Sequence, residues 1–194
     1  MDPQRLRAVI ASAKAGDPEG FEALHEAYAR RLYGYFYRAT RNHHDAEDLL
    51  AQVMLKLVRR LKDYNEHGRF EPWLFRIAAN LVRDRIRRSK SSPRPMSLSL
   101  ENESGESMAD HLPARPVRVD ASMLAAEASE ELNEALAKLE PRTRDMILLR
   151  HFGEMSFKEI ADVFQCPLGT ALARVHRGIK TLRRTMGGDE NNAE

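Results

Sequence analysis

Ser156–Arg184, SFKEIADVFQCPLGTALARVHRGIKTLRR, decides how the rest of the chain is read. Ser156 followed three residues later by Glu159 is a capping-box pattern, in which hydroxyl and carboxylate each satisfy an orphan amide at a helix start. Phe157, Ile160, Ala161 and Phe164 give that helix one apolar face, and Gln165-Cys166-Pro167 breaks it. A second helix follows at once. Leu168, Ala171, Val175, Ile179 and Leu182 are its apolar positions, while Arg174, Arg177, Lys180, Arg183 and Arg184 cover the remainder. Two short amphipathic helices joined by a tight turn, the second basic, read as a helix-turn-helix. On spacing alone, an ordinary helical hairpin with a solvated basic face fits equally well.

Working outward, 194 residues allow one large domain or two small ones. The 31 basic and 29 acidic residues nearly cancel, to a net charge of +2, so the distribution matters more than the sum. Arg76, Arg83, Arg85, Arg87, Arg88 and Lys90 form a basic cluster near the middle, and the second helix above forms another. Two separated clusters suggest two contacts with a polyanion. A single cysteine, Cys166, excludes an internal disulfide. It reads as a small residue packed in a turn. No apolar run is long enough to cross a bilayer and no signal-peptide pattern opens the chain, so the expectation is a soluble, cytoplasmic protein without membrane insertion.

Period-three-to-four patterns fill most of the sequence, which predicts an all-α protein of two small helical domains joined by a flexible linker. The expected divisions are an N-terminal helix over 1–20, a first domain over 21–90, a linker over 91–122, a second domain over 123–186 and a disordered tail over 187–194. Asp2-Pro3 opens the first helix. Phe21, Leu24, Tyr28, Leu32, Tyr35 and Phe36 mark the second. Thr40–Asp45 reads as a polar turn whose His43 and His44 are simply exposed. From there to Leu61 a third helix turns Leu49, Leu50, Val53 and Leu57 inward. Lys62–Arg69 is expected to be a polar loop. Glu71-Pro72 starts a fourth helix with Trp73, Leu74, Ile77, Ala78 and Leu81 inward. The serine- and proline-rich stretch after Ser89 lacks a helical apolar stripe. Periodicity resumes at Leu124, Pro141 opens a further helix, and Gly153 is its expected C-cap.

At this point the chain resembles a bacterial RNA polymerase sigma factor of the extracytoplasmic-function type. The residues that carry the resemblance are Ala46-Glu47-Asp48-Leu49, Trp73 through Asn80, Asp84 with Arg87-Arg88, Leu139-Glu140-Pro141-Arg142, Glu159-Ile160-Ala161 and Cys166 through Thr170. Their order across two domains and a linker makes the match specific. The first domain then resembles sigma region two, and the second resembles region four.

What the resemblance implies is a non-enzymatic specificity subunit with no cofactor and no metal. Its partners would be core RNA polymerase, through the beta-prime clamp and the beta flap, promoter DNA and an anti-sigma factor. Clamp contacts are implied for Glu47, Asp48, Gln52, Lys56 and Arg59. Here the chain departs from the family pattern, with Ala51-Gln52 where a glutamine and an acid are usual. Minus-ten contacts are implied for Tyr64, Asn80, Arg83, Arg87, Arg88 and Lys90. Asn80 can offer both donor and acceptor to an extruded base, and the cations would meet phosphates. Minus-thirty-five contacts are implied for Thr170, Leu172, Ala173, His176, Arg177 and Lys180, with Ala171, Val175, Gly178 and Leu182 as the inner stripe. Leucine and alanine at groove-facing positions suit a thymine methyl and imply a promoter sequence distinct from that of relatives. A two-domain helix-turn-helix regulator acting without polymerase is the alternative. A nucleic-acid enzyme lacks support, since no phosphate-binding glycine loop or catalytic constellation is present.

Overall fold

The computed structural model describes residues 1–65, 68–91 and 123–187. The expectations placed on residues 92–122 and 188–194 lie outside the described residues, as does the side chain of Lys90. All regular structure among the described residues is helical.

The N-terminal domain holds α1 (Pro3–Lys14), α2 (Pro18–Thr40), α3 (His43–Arg60) and α4 (Phe70–Ser91). Local chemistry sets the boundaries. Asp2, Asp17 and Asn42 each accept a backbone N–H at a helix start, and Pro3 and Pro18 supply the fixed φ of a first turn. Arg41 closes α2 in the left-handed region, at φ 57°. The polar turn is therefore shorter than the composition of Thr40–Asp45 suggests. His43 and His44 already belong to α3, because Asn42 makes an effective cap. Leu24, Leu32, Phe36, Val53, Leu57, Leu74 and Phe75 are buried together between α2, α3 and α4.

Leu61–Asp63, expected within or beside a polar loop, forms a 3-10 turn that tucks Tyr64 inward. Tyr64 is only 6% exposed, its ring packed 4.6 Å from that of Trp73 and 5.5 Å from that of Phe70. Aromatic burial outweighs the polar character of its neighbours.

The C-terminal domain holds α5 (Met123–Ala137), α6 (Pro141–Phe152), α7 (Phe157–Phe164) and α8 (Leu168–Thr185). The capping box at Ser156 and Glu159 is present, and Gln165 ends α7 at φ 49°. Burial of Ala171, Val175, Gly178 and Leu182 forms the inner stripe of α8, while Leu168 and Ile179 are exposed. Gly178 permits close approach to α6: a Cβ there would stand 2.7 Å from Thr143 Cγ2 and 2.7 Å from Ile147 Cδ1.

The two domains are packed together. At the centre of their seam the Tyr35 hydroxyl donates to Asp145 Oδ1, and both residues are buried. Beside them, a Cβ on Gly153 would approach Phe75 Cβ to 2.8 Å, so only glycine lets α6 end against α4. Around the rim, Arg31 donates to the Phe152 carbonyl at 2.6 Å and pairs with Glu154 at 3.0 Å. Arg38 lies 5.4 Å from the centre of the Phe152 ring, and Arg69 pairs with Glu159.

Candidate nucleic-acid interface

Three surfaces gather the candidate residues. The first is the outward face of α3. Glu47, Gln52 and Arg59 are exposed, and Asp48 is partly exposed with His44 Nε2 3.7 Å away. Lys56 turns aside, into a cleft beside α4. Sequence reasoning missed the centre of this face: Leu55 is 59% exposed and Val58 51%. At 100° per residue they fall with Ala51 inside the arc from Glu47 to Gln52, on the side opposite Leu49, Val53 and Leu57. These exposed apolar residues, flanked by Asp48, Gln52 and Arg59, form a patch with an apolar middle and a polar rim carrying charges of both signs, the anatomy of a protein–protein contact.

The second surface is α4 with the cleft at its side, about 560 Å³ in volume and lined in part by Lys56, Arg60, Asn80, Arg83 and Arg87. The positive sign follows from three arginines and a lysine set against one acid, Asp84, which pairs with Arg87 at 3.1 Å. Arg87 and Arg88 are exposed. Asn80 and Arg83 are half-buried and joined, the Arg83 guanidinium donating to Asn80 Oδ1 and also to the Val163 carbonyl of α7. Tyr64, buried on Trp73 and Phe70, stands apart from this group. Arg85 is absorbed structurally by Asp45 at the start of α3.

The third is the outer face of α8. Thr170, Leu172, Ala173, His176, Arg177 and Lys180 are all exposed, with Leu172 at 41%. Arg174 is held off this face, because Glu140 Oε2 accepts from its guanidinium at 2.7 Å. Glu140 also takes the Thr143 hydroxyl at 2.9 Å. Burial raises the Glu140 carboxyl, but these bonds outweigh it and hold the group below its ordinary value. α7 is braced in the same way. Arg142 donates to the Phe164 carbonyl at 2.5 Å, where the helix leaves carbonyls unpaired. The outcome is a short helix supporting a longer one whose free face is basic with an apolar start.

Asp145 was not legible as a buried residue of the seam. Burial pushes its carboxyl up from 3.8 to about 6, against the Tyr35 hydroxyl and the Arg83 and Arg144 guanidiniums, which lower it. An acid on an amphipathic helix reads as solvated, and its partner lies 110 residues away in sequence. Among the described residues no cluster of His, Cys, Asp and Glu could hold a metal, and no helix is long and apolar enough to cross a membrane.

The chain is similar in sequence and fold to known proteins. Residues 24–92 match Sigma-70 region 2, and residues 129–182 match Sigma-70, region 4. The RNA polymerase sigma factor CarQ of Myxococcus xanthus is 33% identical over 172 residues, covering 89% of this chain and 92% of its own. The ECF RNA polymerase sigma factor SigW of Bacillus subtilis is 29% identical over 181 residues, 93% of this chain and 96% of its own. A solved structure of the sigma factor RpoE in complex with the anti-sigma factor NepR from Bartonella quintana superposes with a TM-score of 0.61. That likeness has 21% identity over 88% of this chain and 98% of that one. The chain belongs to the extracytoplasmic-function (ECF) RNA polymerase sigma factors, non-enzymatic proteins that direct RNA polymerase to promoters.

Proposed function

We propose that the three surfaces divide the work of a sigma factor. The outer face of α3 docks on the clamp of core polymerase, with Leu55 and Val58 as its buried centre and Glu47, Asp48, Gln52 and Arg59 as its rim; Lys56 serves the neighbouring cleft. The observation that carries this reading is the pair of exposed apolar side chains amid mixed charge, a combination suited to a protein partner rather than a polyanion. Ala51-Gln52 removes a carboxylate from that rim, leaving more of the affinity to apolar burial.

The α4 surface takes the minus-ten element. Asn80 reads an extruded base, and Arg83, Arg87, Arg88 and Lys90 meet phosphates. In this reading Tyr64, buried against Trp73 and Phe70, supports the start of α4 rather than stacking on DNA. α8 enters the major groove at the minus-thirty-five element. Thr170 sits near a phosphate, Leu172 and Ala173 offer methyl contacts, and His176, Arg177 and Lys180 provide polar and charged ones.

The domain boundaries follow: region two over 21–90, a connecting stretch over 91–122 and region four over 123–186. The beta flap and an anti-sigma factor complete the partner set, and the site of action is the cytoplasm. Transcription from a randomised promoter library by core polymerase plus this protein tests the assignment. Enriched promoters should change at the minus-thirty-five position when Leu172 or His176 is substituted, and at the minus-ten position when Asn80 is. Unchanged enrichment for all three variants would refute it.

A further inference from the structure

We infer that the groove between α5, α6 and α8 is a binding site for a small amphiphilic anion, in class a medium-chain alkyl carboxylate. Its walls are laid down by helical spacing. Leu132 and Leu136 stand one turn apart on α5, Ile147 faces them from α6, and Val175, Ile179 and Leu182 follow one another along α8. These walls are not a finished core. Ile179 keeps 37% of its surface exposed, and Leu132 and Ile147 are only partly buried. Apolar side chains that face empty space forgo dispersion contacts, which a chain of methylenes would restore.

The other end of the groove is cationic. Arg38, reaching over from α2, lies 5.4 Å from the centre of the Phe152 ring, and the His151 ring meets the same ring edge-on at 5.0 Å. Phe152 itself lines the groove, so it gathers both side chains to one place. Arg150 joins them as a lining residue, its guanidinium braced by the Met155 carbonyl at 2.7 Å and by the Phe157 ring at 5.2 Å. No residue that lines the groove is acidic. A carboxylate supplies acceptors only, and a guanidinium supplies donors only, so the head group and this end of the groove match.

Size selects a small molecule over a helix. The groove measures about 390 Å³, within the range of small-ligand sites. At roughly 30 Å³ for a water-sized group, it holds about a dozen such groups in a row. Two turns of a helix about 11 Å across fill on the order of 1,000 Å³, so a docked helix could insert side chains but not lie within it. A polyanion is disfavoured too, because most of the wall is apolar.

The test titrates the full chain, by calorimetry, with straight-chain carboxylates from hexanoate to tetradecanoate, each below its micelle concentration. One molecule should bind per chain, about fourfold tighter for each added methylene until dodecanoate, with no further gain at tetradecanoate. Dodecanol and dodecyltrimethylammonium, which share the tail and lack the anion, should bind at least about tenfold more weakly. Ile179→Glu sets an acid in the open wall and should abolish binding of dodecanoate. Arg38→Gln should weaken it by about tenfold, with helicity unchanged in both variants. Should either variant misfold, the tail and head-group series on the wild type still decides. Uptake of many molecules without a plateau, dodecanol binding as tightly as dodecanoate, or Ile179→Glu binding like the wild type would overturn the inference. So would the absence of saturable binding by any carboxylate, as expected of a groove reserved for a protein partner or for a second copy of this chain.

Discussion

The two helices assigned to promoter contact, α4 and α8, differ in readiness. Every candidate on α8 is exposed, and the one arginine that could crowd its face, Arg174, is drawn aside by Glu140. On α4 the exposed candidates are Arg87 and Arg88, while Asn80 and Arg83 are engaged with each other and with α7. One reading head is complete within its own domain. The other depends on what the neighbouring domain does. Both helices are basic and amphipathic, so this difference lies in tertiary packing and not in composition.

The harshest way to break the comparison is to destroy one side of it. Phe164 is 6% exposed, and its ring lies 5.8 Å from the Arg83 guanidinium and 5.6 Å from that of Arg142. Phe164→Ala should cost about 3–5 kcal/mol in urea unfolding of the C-terminal domain. Duplex binding through α8 should fall with it, while the α4 edge is released. A loss below about 1 kcal/mol would mean that the ring is not part of the core.

A gentler variant pair sharpens the contrast. Arg177→Ala should weaken duplex binding by about 1–3 kcal/mol and flatten its salt dependence, because nothing in the fold compensates. Arg83→Ala should cost the free chain less, since the same change loosens the seam. Equal costs in a titration of free chain would put the two helices on the same footing.

Acidity offers a third route. The Asp145 carboxyl is raised to about 6 in the packed state from 3.8 when solvated. The packed state thus binds the proton more strongly, and the seam tightens as pH falls from 7 through about 6 towards 4. Energy transfer between dyes on the two domains should rise over that interval in wild type and stay flat in Asp145→Asn. A seam that loosens on acidification would reverse the sign and reject the role given to Asp145.

The smallest effect concerns the support of α8. Ser156→Ala should cost about 1 kcal/mol of thermal stability through the lost cap. Burial raises the Glu159 carboxyl, but bonds from Ser156 and Arg69 outweigh it and hold the group below its ordinary 4.5. Its contribution is present above that value and is lost as pH falls through the lowered one.

What was legible in the sequence follows the range of the forces involved. The capping box at Ser156 and the break at Gln165 depend on neighbours within a few residues and are observed. Of the apolar positions read by periodicity on α8, by contrast, Leu168 and Ile179 are exposed, and the buried stripe of Ala171, Val175, Gly178 and Leu182 is the one the resemblance implied. Asn42 as a cap extended α3 to His43, a local signal hidden by the polar run around it. Tyr64 read as a loop aromatic because its partners, Phe70 and Trp73, follow a stretch without periodicity. Leu55 and Val58 belonged to neither the inner stripe nor the charged face, and only the outer position of the arc marks them as a patch. The seam was beyond reach altogether: Tyr35 with Asp145 and Arg83 with Val163 join residues whose separation no periodicity encodes.

The most direct measurement of the central assignment is co-elution of the full chain with bacterial core RNA polymerase, comparing wild type, Asp48→Arg and Leu55→Asp. The account predicts a stable complex for wild type, weakened about tenfold by the charge reversal and more by the buried aspartate, with helicity unchanged in all three. Failure of the wild type to bind core, or binding by Leu55→Asp as tight as that of the wild type, would contradict the assignment of the outer face of α3 to polymerase.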